Sequence, residues 1–150
     1  MFYSEGREAK TLSVLEHEWH WGSTGAGKSR PIREANPKAY IKMANKWWCG
    51  YKDQEVVILE DLGKDQIAPY HLKVWADHYP VTVEAKGFTL GMIRPKKIYI
   101  TSNWRIRDLY KDPQDYEPLE RRFKEVHHAD SPFVILKKQV ADLNKQMESL

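Results

Sequence analysis

Little in this sequence points toward the secretory route or a membrane. Cys49 is the lone cysteine, so an internal disulfide is excluded. The N-terminus, MFYSEGREAK, lacks the basic-then-apolar order of a signal peptide, and a reducing compartment, cytosolic or nuclear, is expected. Long hydrophobic runs are missing too. The longest uninterrupted aliphatic stretch is Val56-Val57-Ile58-Leu59, far short of the ~20 apolar residues that a membrane helix needs. There is no internal repeat, and charge of one sign does not dominate. Lys and Arg number 24 against 21 Asp and Glu, a net charge of +3 that is compatible with a polyanionic partner without requiring one. What is present is the composition of a packed globular domain. With 41% hydrophobic and 30% charged residues in a chain of 150, there is material for one core and no room for a second full domain.

Along the chain, a polar lead-in with a short helical pattern around Leu12 and Leu15 precedes an aromatic strand at Glu18 to Trp21. A brief helix is predicted from about Lys28 to Ala35, closed by Asn36-Pro37. AYIK and KWWCGY read as short strands or extended segments. EVVILED is the clearest strand, and its continuous apolar run predicts a central place covered on both faces. APYHLKVWADHY predicts a helix from Pro69 that Pro80 ends. VTVEAKGFTLGMIRP alternates around Lys86-Gly87 as a hairpin does, and KKIYITSN is a further buried strand. DYEPLERRFKEV predicts a helix after Pro118. Phe133, Leu136, Val140, Leu143, Met147 and Leu150 follow heptad spacing over fewer than three heptads. That segment reads as a terminal helix docked on its own domain or loosely ordered, with a self-associating coil as the alternative.

The chemistry-bearing pattern is Gly22-Ser23-Thr24-Gly25-Ala26-Gly27-Lys28-Ser29, which fits G-x-x-x-x-G-K-[ST]. Glycines let backbone N–H groups converge on phosphate oxygens, Lys28 reaches the β and γ oxygens, and Ser29 can ligate Mg²⁺. Such a cradle needs acids at the end of a neighbouring strand, and Glu60-Asp61 follow VVIL. One carboxylate would hold Mg²⁺ while the other polarises the attacking water, in an order that the sequence leaves open. Asn103, delivered by IYITSN to the same sheet edge, can sense the γ-phosphate and orient water, although a strand ending in Thr-Ser-Asn is equally a helix-capping turn.

GSTGAGKS, NKWWCGY, EVVILED, DHYPVTVEAKG and IYITSN, spanning about residues 19–103, with a weaker match through LERRF, together resemble the superfamily 3 helicase domain of the replication-associated proteins of small circular single-stranded DNA viruses, circovirus-like ones in particular. The resemblance implies an α/β P-loop NTPase of the AAA-like branch, with a central, mainly parallel sheet and a protruding β-hairpin. It implies an ATP- and Mg²⁺-dependent DNA helicase motor that assembles as a ring, usually a hexamer, with single-stranded DNA in the pore, and a host-cell nuclear location. An arginine from the neighbouring subunit completes such sites, and Arg121 or Arg122 of LERRF matches it. Lys86-Gly87 matches the tip of the family's pore-facing hairpin, and Lys96 and Lys97 could extend the same DNA-binding surface. Residues 1–18 would be a remnant of a linker or collar, 19–132 the ATPase domain and 133–150 the C-terminal helix.

Some features depart from the family or stay outside it. Cys49 stands where the family commonly carries an acidic residue. HEWH, His17 to His20, lacks the His-hydrophobic-His metal motif of the family's endonuclease domain and fails the zinc pattern H-E-x-x-H, so it is read as structural. Tyr70 and Lys73 copy the Tyr-x-x-Lys spacing of that domain's nucleophile but lie after the acids, and they are not assigned to it. The chain is therefore expected to be the ATPase part of a longer protein, short of much of the helical collar. Trp19, Trp21, Trp47, Trp48 and Trp75 are assigned to the core, and His127-His128 to a solvated loop. Two other activities fit the same motifs: an RNA helicase of the same superfamily, and a nucleotide-dependent assembly module without turnover.

Overall fold

β1 (His17–Trp21), with three of its five residues buried, opens the fold in a computed structural model that describes residues 9–150. Leu12 and Leu15 lie in irregular chain rather than a helix, and residues 1–8 of the expected lead-in are outside the described residues. After the Gly-rich loop come α1 (Ser29–Ala35), β2 (Tyr40–Lys42) and β3 (Val56–Leu59), then α2 (Pro69–Trp75), with Pro69 at the helix start, where a missing N–H costs nothing. β4 (Val81–Ala85) and β5 (Phe88–Ile93) form an antiparallel hairpin with a register shift at Val83/Glu84, and β6 (Lys97–Ser102) returns to the main sheet. α3 (Ile106–Leu109), α4 (Pro113–Arg122), β7 (Phe123–His127) and α5 (Pro132–Glu148) complete the chain.

The five-stranded sheet runs β2-β3-β6-β1-β7, and every pairing is parallel. This is the α/β architecture with a parallel sheet that the sequence implies. Side chains alternate across it. Trp19, Val57, Leu59, Ile98 and Ile100 join one core with Trp48, Leu72, Trp75, Leu119 and Phe123. Thr101, one residue on from Ile100, points the other way and meets Ser29 of α1. Among the described residues no helix is long and apolar enough to cross a membrane.

Several expected elements fall differently. β3 is an inner strand, but the centre belongs to β6. The segment 46–51 is a loop rather than a strand, fixed to the hairpin by a bridge between Trp47 and Glu84 and by donation from Trp48 N–H to the Glu84 carbonyl at 2.8 Å. α2 stops at Trp75, short of Pro80. α4 begins earlier than expected, because Asp112 caps it by accepting from Gln114 N–H and Pro113 starts it, so Pro118 lies inside the helix. It ends at Arg122, and Phe123–His127 is strand: pairing with β1 buries Phe123 edge-on against Trp19. His127 thus ends a strand, stacked on Trp21 at 4.0 Å, while His128 bonds His20 at 2.6 Å, so neither belongs to a free solvated loop. α5 is a formed helix capped by Ser131, yet Phe133, Leu136, Val140, Leu143 and Met147 are exposed rather than docked on the domain.

One buried charge organises the 43–48 loop. Lys42 is 2% exposed; its Nζ donates to the Met43 and Asn45 carbonyls at 2.9 and 2.5 Å and lies over the rings of Trp48 and Trp75. Burial pushes its pKa down to about 7. Removing the ammonium strands those carbonyls. Lys42→Met is expected to cost about 1–3 kcal/mol, measured as a lower urea midpoint at unchanged m-value.

Candidate nucleotide site and basic hairpin

The phosphate-loop pattern sits where β1 ends. Gly22 N–H donates to the Ser102 carbonyl at 3.1 Å, carrying the β1–β6 ladder one step beyond the strand. A Cβ at Gly22 would lie 2.5 Å from the His128 carbonyl oxygen, so only glycine fits there. Gly27 takes φ +79°, a left-handed conformation that lets the chain turn into α1. Lys28 follows, 6% exposed, its Nζ folded back on the Gly22 and Ser23 carbonyls at 2.8 and 3.0 Å and 3.4 Å from Asn103 Oδ1. Burial lowers its pKa, and the Asp61 charge opposes that shift.

The acids arrive from β3. Asp61, at φ +55°, donates its N–H to Thr101 Oγ1 at 3.0 Å. The same Thr101 hydroxyl is 3.4 Å from Ser29 Oγ. Glu60 is gripped by Arg33 of α1, whose Nε is 2.9 Å from each carboxylate oxygen and whose Nη2 touches Oε1. That guanidinium holds the Glu60 carboxyl below its ordinary value, against the opposing effect of burial, and the Ser29 hydroxyl adds to the lowering. Asn103 donates from Nδ2 to Thr24 Oγ1 at 3.4 Å. Gly22 to Ser29, Glu60, Asp61 and Asn103 therefore gather at the C-terminal ends of the adjacent strands β1, β6 and β3.

Arg121 and Arg122 do not join them. They close α4 immediately before Phe123, which pairs with His17, the first residue of β1, so they lie at the opposite end of the sheet. Arg122 is held by Asp77 at 3.2 Å and by the Pro118 carbonyl at 3.0 Å. Arg121 is exposed and has no ion pair among the described residues. The two line a cleft with Lys97 and Lys124. Lys86 and Gly87 form the hairpin tip. Lys96 and Lys97 sit at its root, roughly 15 Å of strand away, where Lys97 is paired with Glu18 at 2.7 Å.

Thr101 and Arg33 escaped the sequence reading. Thr101 carried a faint signal, a polar residue inside an apolar strand; Arg33 carried none. A chain of contacts behind the loop was equally hidden: Glu18 Oε1 to His20 Nε2 at 2.8 Å, then His20 Nδ1 to His128 Nε2 at 2.6 Å. Burial and the His20, Lys28 and His127 charges keep the His128 pKa low.

The Glu60 shift fixes a pH dependence. A carboxyl whose folded pKa lies below its ordinary 4.5 contributes stability above that value and loses it as pH falls through the folded pKa. The melting-temperature gap between wild type and Arg33→Ala should be present at neutral pH and close as acid takes the solution below the ordinary carboxyl value of 4.5 and through the lowered one.

A family model described as RNA helicase matches residues 18–104. The replication-associated protein of beak and feather disease virus is 38% identical over 137 residues, covering 84% of this chain and 46% of that protein. That of goose circovirus is 38% identical over 142 residues, covering 83% and 45%, and that of porcine circovirus 2 is 38% identical over 91 residues, covering 55% and 26%. The chain spans about half the length of the first two curated relatives. It belongs to the RNA helicase family, a superfamily 3 helicase domain similar to that of circovirus replication-associated proteins.

Proposed function

We propose that residues 19–132 form an ATP-dependent helicase motor of a viral replication initiator, which hydrolyses ATP between the copies of a ring and draws a single strand of DNA past the β4–β5 hairpin. The observation that supports this most is the convergence of Lys28, Asp61 and Asn103 on one sheet edge, with Asn103 Oδ1 3.4 Å from Lys28 Nζ. The ammonium is held by two loop carbonyls. Those are weaker partners than phosphate oxygens, so Lys28 transfers to the β and γ oxygens when nucleotide enters.

Ser29 and the nearby carboxylates supply hard oxygen donors of the type that Mg²⁺ takes. When bound, Mg²⁺ would neutralise charge on the β and γ oxygens. Glu60, beside Ser29, is suited to hold it. Asp61, closer to Lys28 and fixed through its own N–H, is suited with Asn103 to orient the attacking water. Arg33 keeps Glu60 ionised for its part. Arg121 and Arg122, at the far end of the sheet, can meet only the phosphate of another copy. Arg121 has the free guanidinium for this, whereas Arg122 is tied to Asp77.

The test is ATP turnover per copy over a range of protein concentrations, with Lys28→Ala as blank. Turnover should rise with concentration, because sites complete only between copies; a concentration-independent rate would sink the ring, and no rate above blank would leave a nucleotide-dependent assembly module. Lys28→Ala and Arg121→Ala should each be inactive alone, yet their mixture should regain activity at interfaces that pair an intact loop with an intact arginine. A second reading, RNA as the polymer, is favoured by the description of the matching family. Stimulation by oligouridylate rather than oligothymidylate would select it.

A further inference from the structure

The hairpin carries more than Lys86. Phe88, the first residue of β5, is 61% exposed beside the open Lys86-Gly87 tip, where a Cβ at Gly87 would meet nothing within 4 Å. Trp47 approaches from a segment some forty residues earlier, and it is not the core residue that its pattern suggests. It is bridged to Glu84, while Cys49 Sγ accepts from Lys86 N–H at 3.4 Å, so segment 47–49 and the hairpin tip form one body. The Trp47 ring carries two ammonium groups: Lys86 Nζ at 4.9 Å from its centroid and Lys46 Nζ at 5.4 Å. Neither lysine has an ion pair with a carboxylate among the described residues.

Two like charges gathered on one indole repel each other, and an exposed phenyl ring two residues on from Lys86 gains nothing from water. A single-stranded nucleic acid answers both, because it brings phosphates for the ammonium groups and an unpaired base face for the ring; a duplex keeps its base faces stacked.

We propose that Phe88 stacks on an unpaired base of a single-stranded nucleic acid while Lys46 and Lys86, both held by the Trp47 ring, neutralise the flanking phosphates. This rests on the reading of the hairpin as the polymer-contacting element and adds three residues to it. Phe88 and the two lysines touch the strand. Trp47 is a positioning residue that acts through the lysines. Stacking and charge neutralisation leave separate signatures, since only the second is screened by salt.

The experiment is fluorescence anisotropy of the full chain with labelled oligothymidylate and oligouridylate across a salt series, with the assembly state followed by sedimentation. Phe88→Ala should weaken binding about 5- to 150-fold with the salt slope unchanged, and Phe88→Trp should retain affinity. Lys46→Ala and Lys86→Ala should each flatten the log–log salt slope by about 0.7. Trp47→Leu should flatten it as well, with Trp47→Phe restoring it. Unchanged binding by Phe88→Ala beside a weakened Lys86→Ala overturns the stacking and leaves the hairpin reading standing. If Lys86→Ala also binds normally, the hairpin reading itself fails. A Phe88→Ala variant that alters only the assembly state makes that ring a contact between copies and overturns the proposal.

Discussion

Everything at the Gly-rich loop depends on the parallel register between β1 and β6. Trp21 lies opposite Ser102, and Gly22 N–H continues the ladder onto the Ser102 carbonyl. The first loop residue is thereby fixed beside Asn103, and Lys28, folded over that residue, reaches the amide. On its other side β6 pairs with β3, Ile100 opposite Leu59. Leu62 N–H then returns to the Thr101 carbonyl, which bends the chain so that Asp61 faces the loop. Slipping β1 by one residue would turn Trp19, wholly buried, out of the core and His20 into it. Hydrophobic burial thus sets the positions of groups that are themselves polar. Trp19 reinforces this by donating Nε1–H to the Trp104 carbonyl at 2.9 Å, which pins the turn just beyond Asn103.

The two ends of the sheet differ in how they treat charge. At the C-terminal end Arg33 grips Glu60, but the Lys28 and Asp61 charges stay apart: Lys28 rests on carbonyls, and Asp61 bonds through its backbone N–H. At the N-terminal end, charges are mostly paired, Lys97 with Glu18 and Arg122 with Asp77. His17 is buried there with Nδ1 accepting from Ile98 N–H at 2.9 Å, and burial together with the Arg94 charge pushes its pKa down to about 3. It is a neutral acceptor at physiological pH. HEWH is in this respect the structural stretch that its spacing suggests, although His20 also reaches across to His128.

What could be read from the sequence was what depends on neighbours in the chain. The phosphate loop, the acids after VVIL, the strand before Asn103 and the hairpin at Lys86-Gly87 are local patterns, and each lies in the element expected of it. What could not be read depends on distant partners. LERRFKEV has helical spacing throughout, and only the free edge of β1, a hundred residues earlier, makes Phe123–His127 a strand. Arg33 meets Glu60 across 27 residues of sequence. Trp47 looked like core because aromatic residues usually are; its neighbour Trp48 is, at 1% exposure. Which of two adjacent tryptophans takes Lys46 and Lys86, and which the buried Lys42, depends on the bridge to Glu84, which no local pattern encodes.

The phosphate loop is held from a second side as well. The His128 carbonyl occupies the space that a Gly22 side chain would need, Asp130 bonds the Ser23 hydroxyl, and Val134 of α5 stands 3.3 Å from where a Gly25 Cβ would be. Trp21, Ser23, Asn103, Trp104, His127 and Ile135 line the cleft of about 650 Å³ that remains between the loop and this returning segment. The first two glycines of the loop leave room for this returning segment. They admit the chain that leaves β7, and that chain carries α5 with its apolar row uncovered.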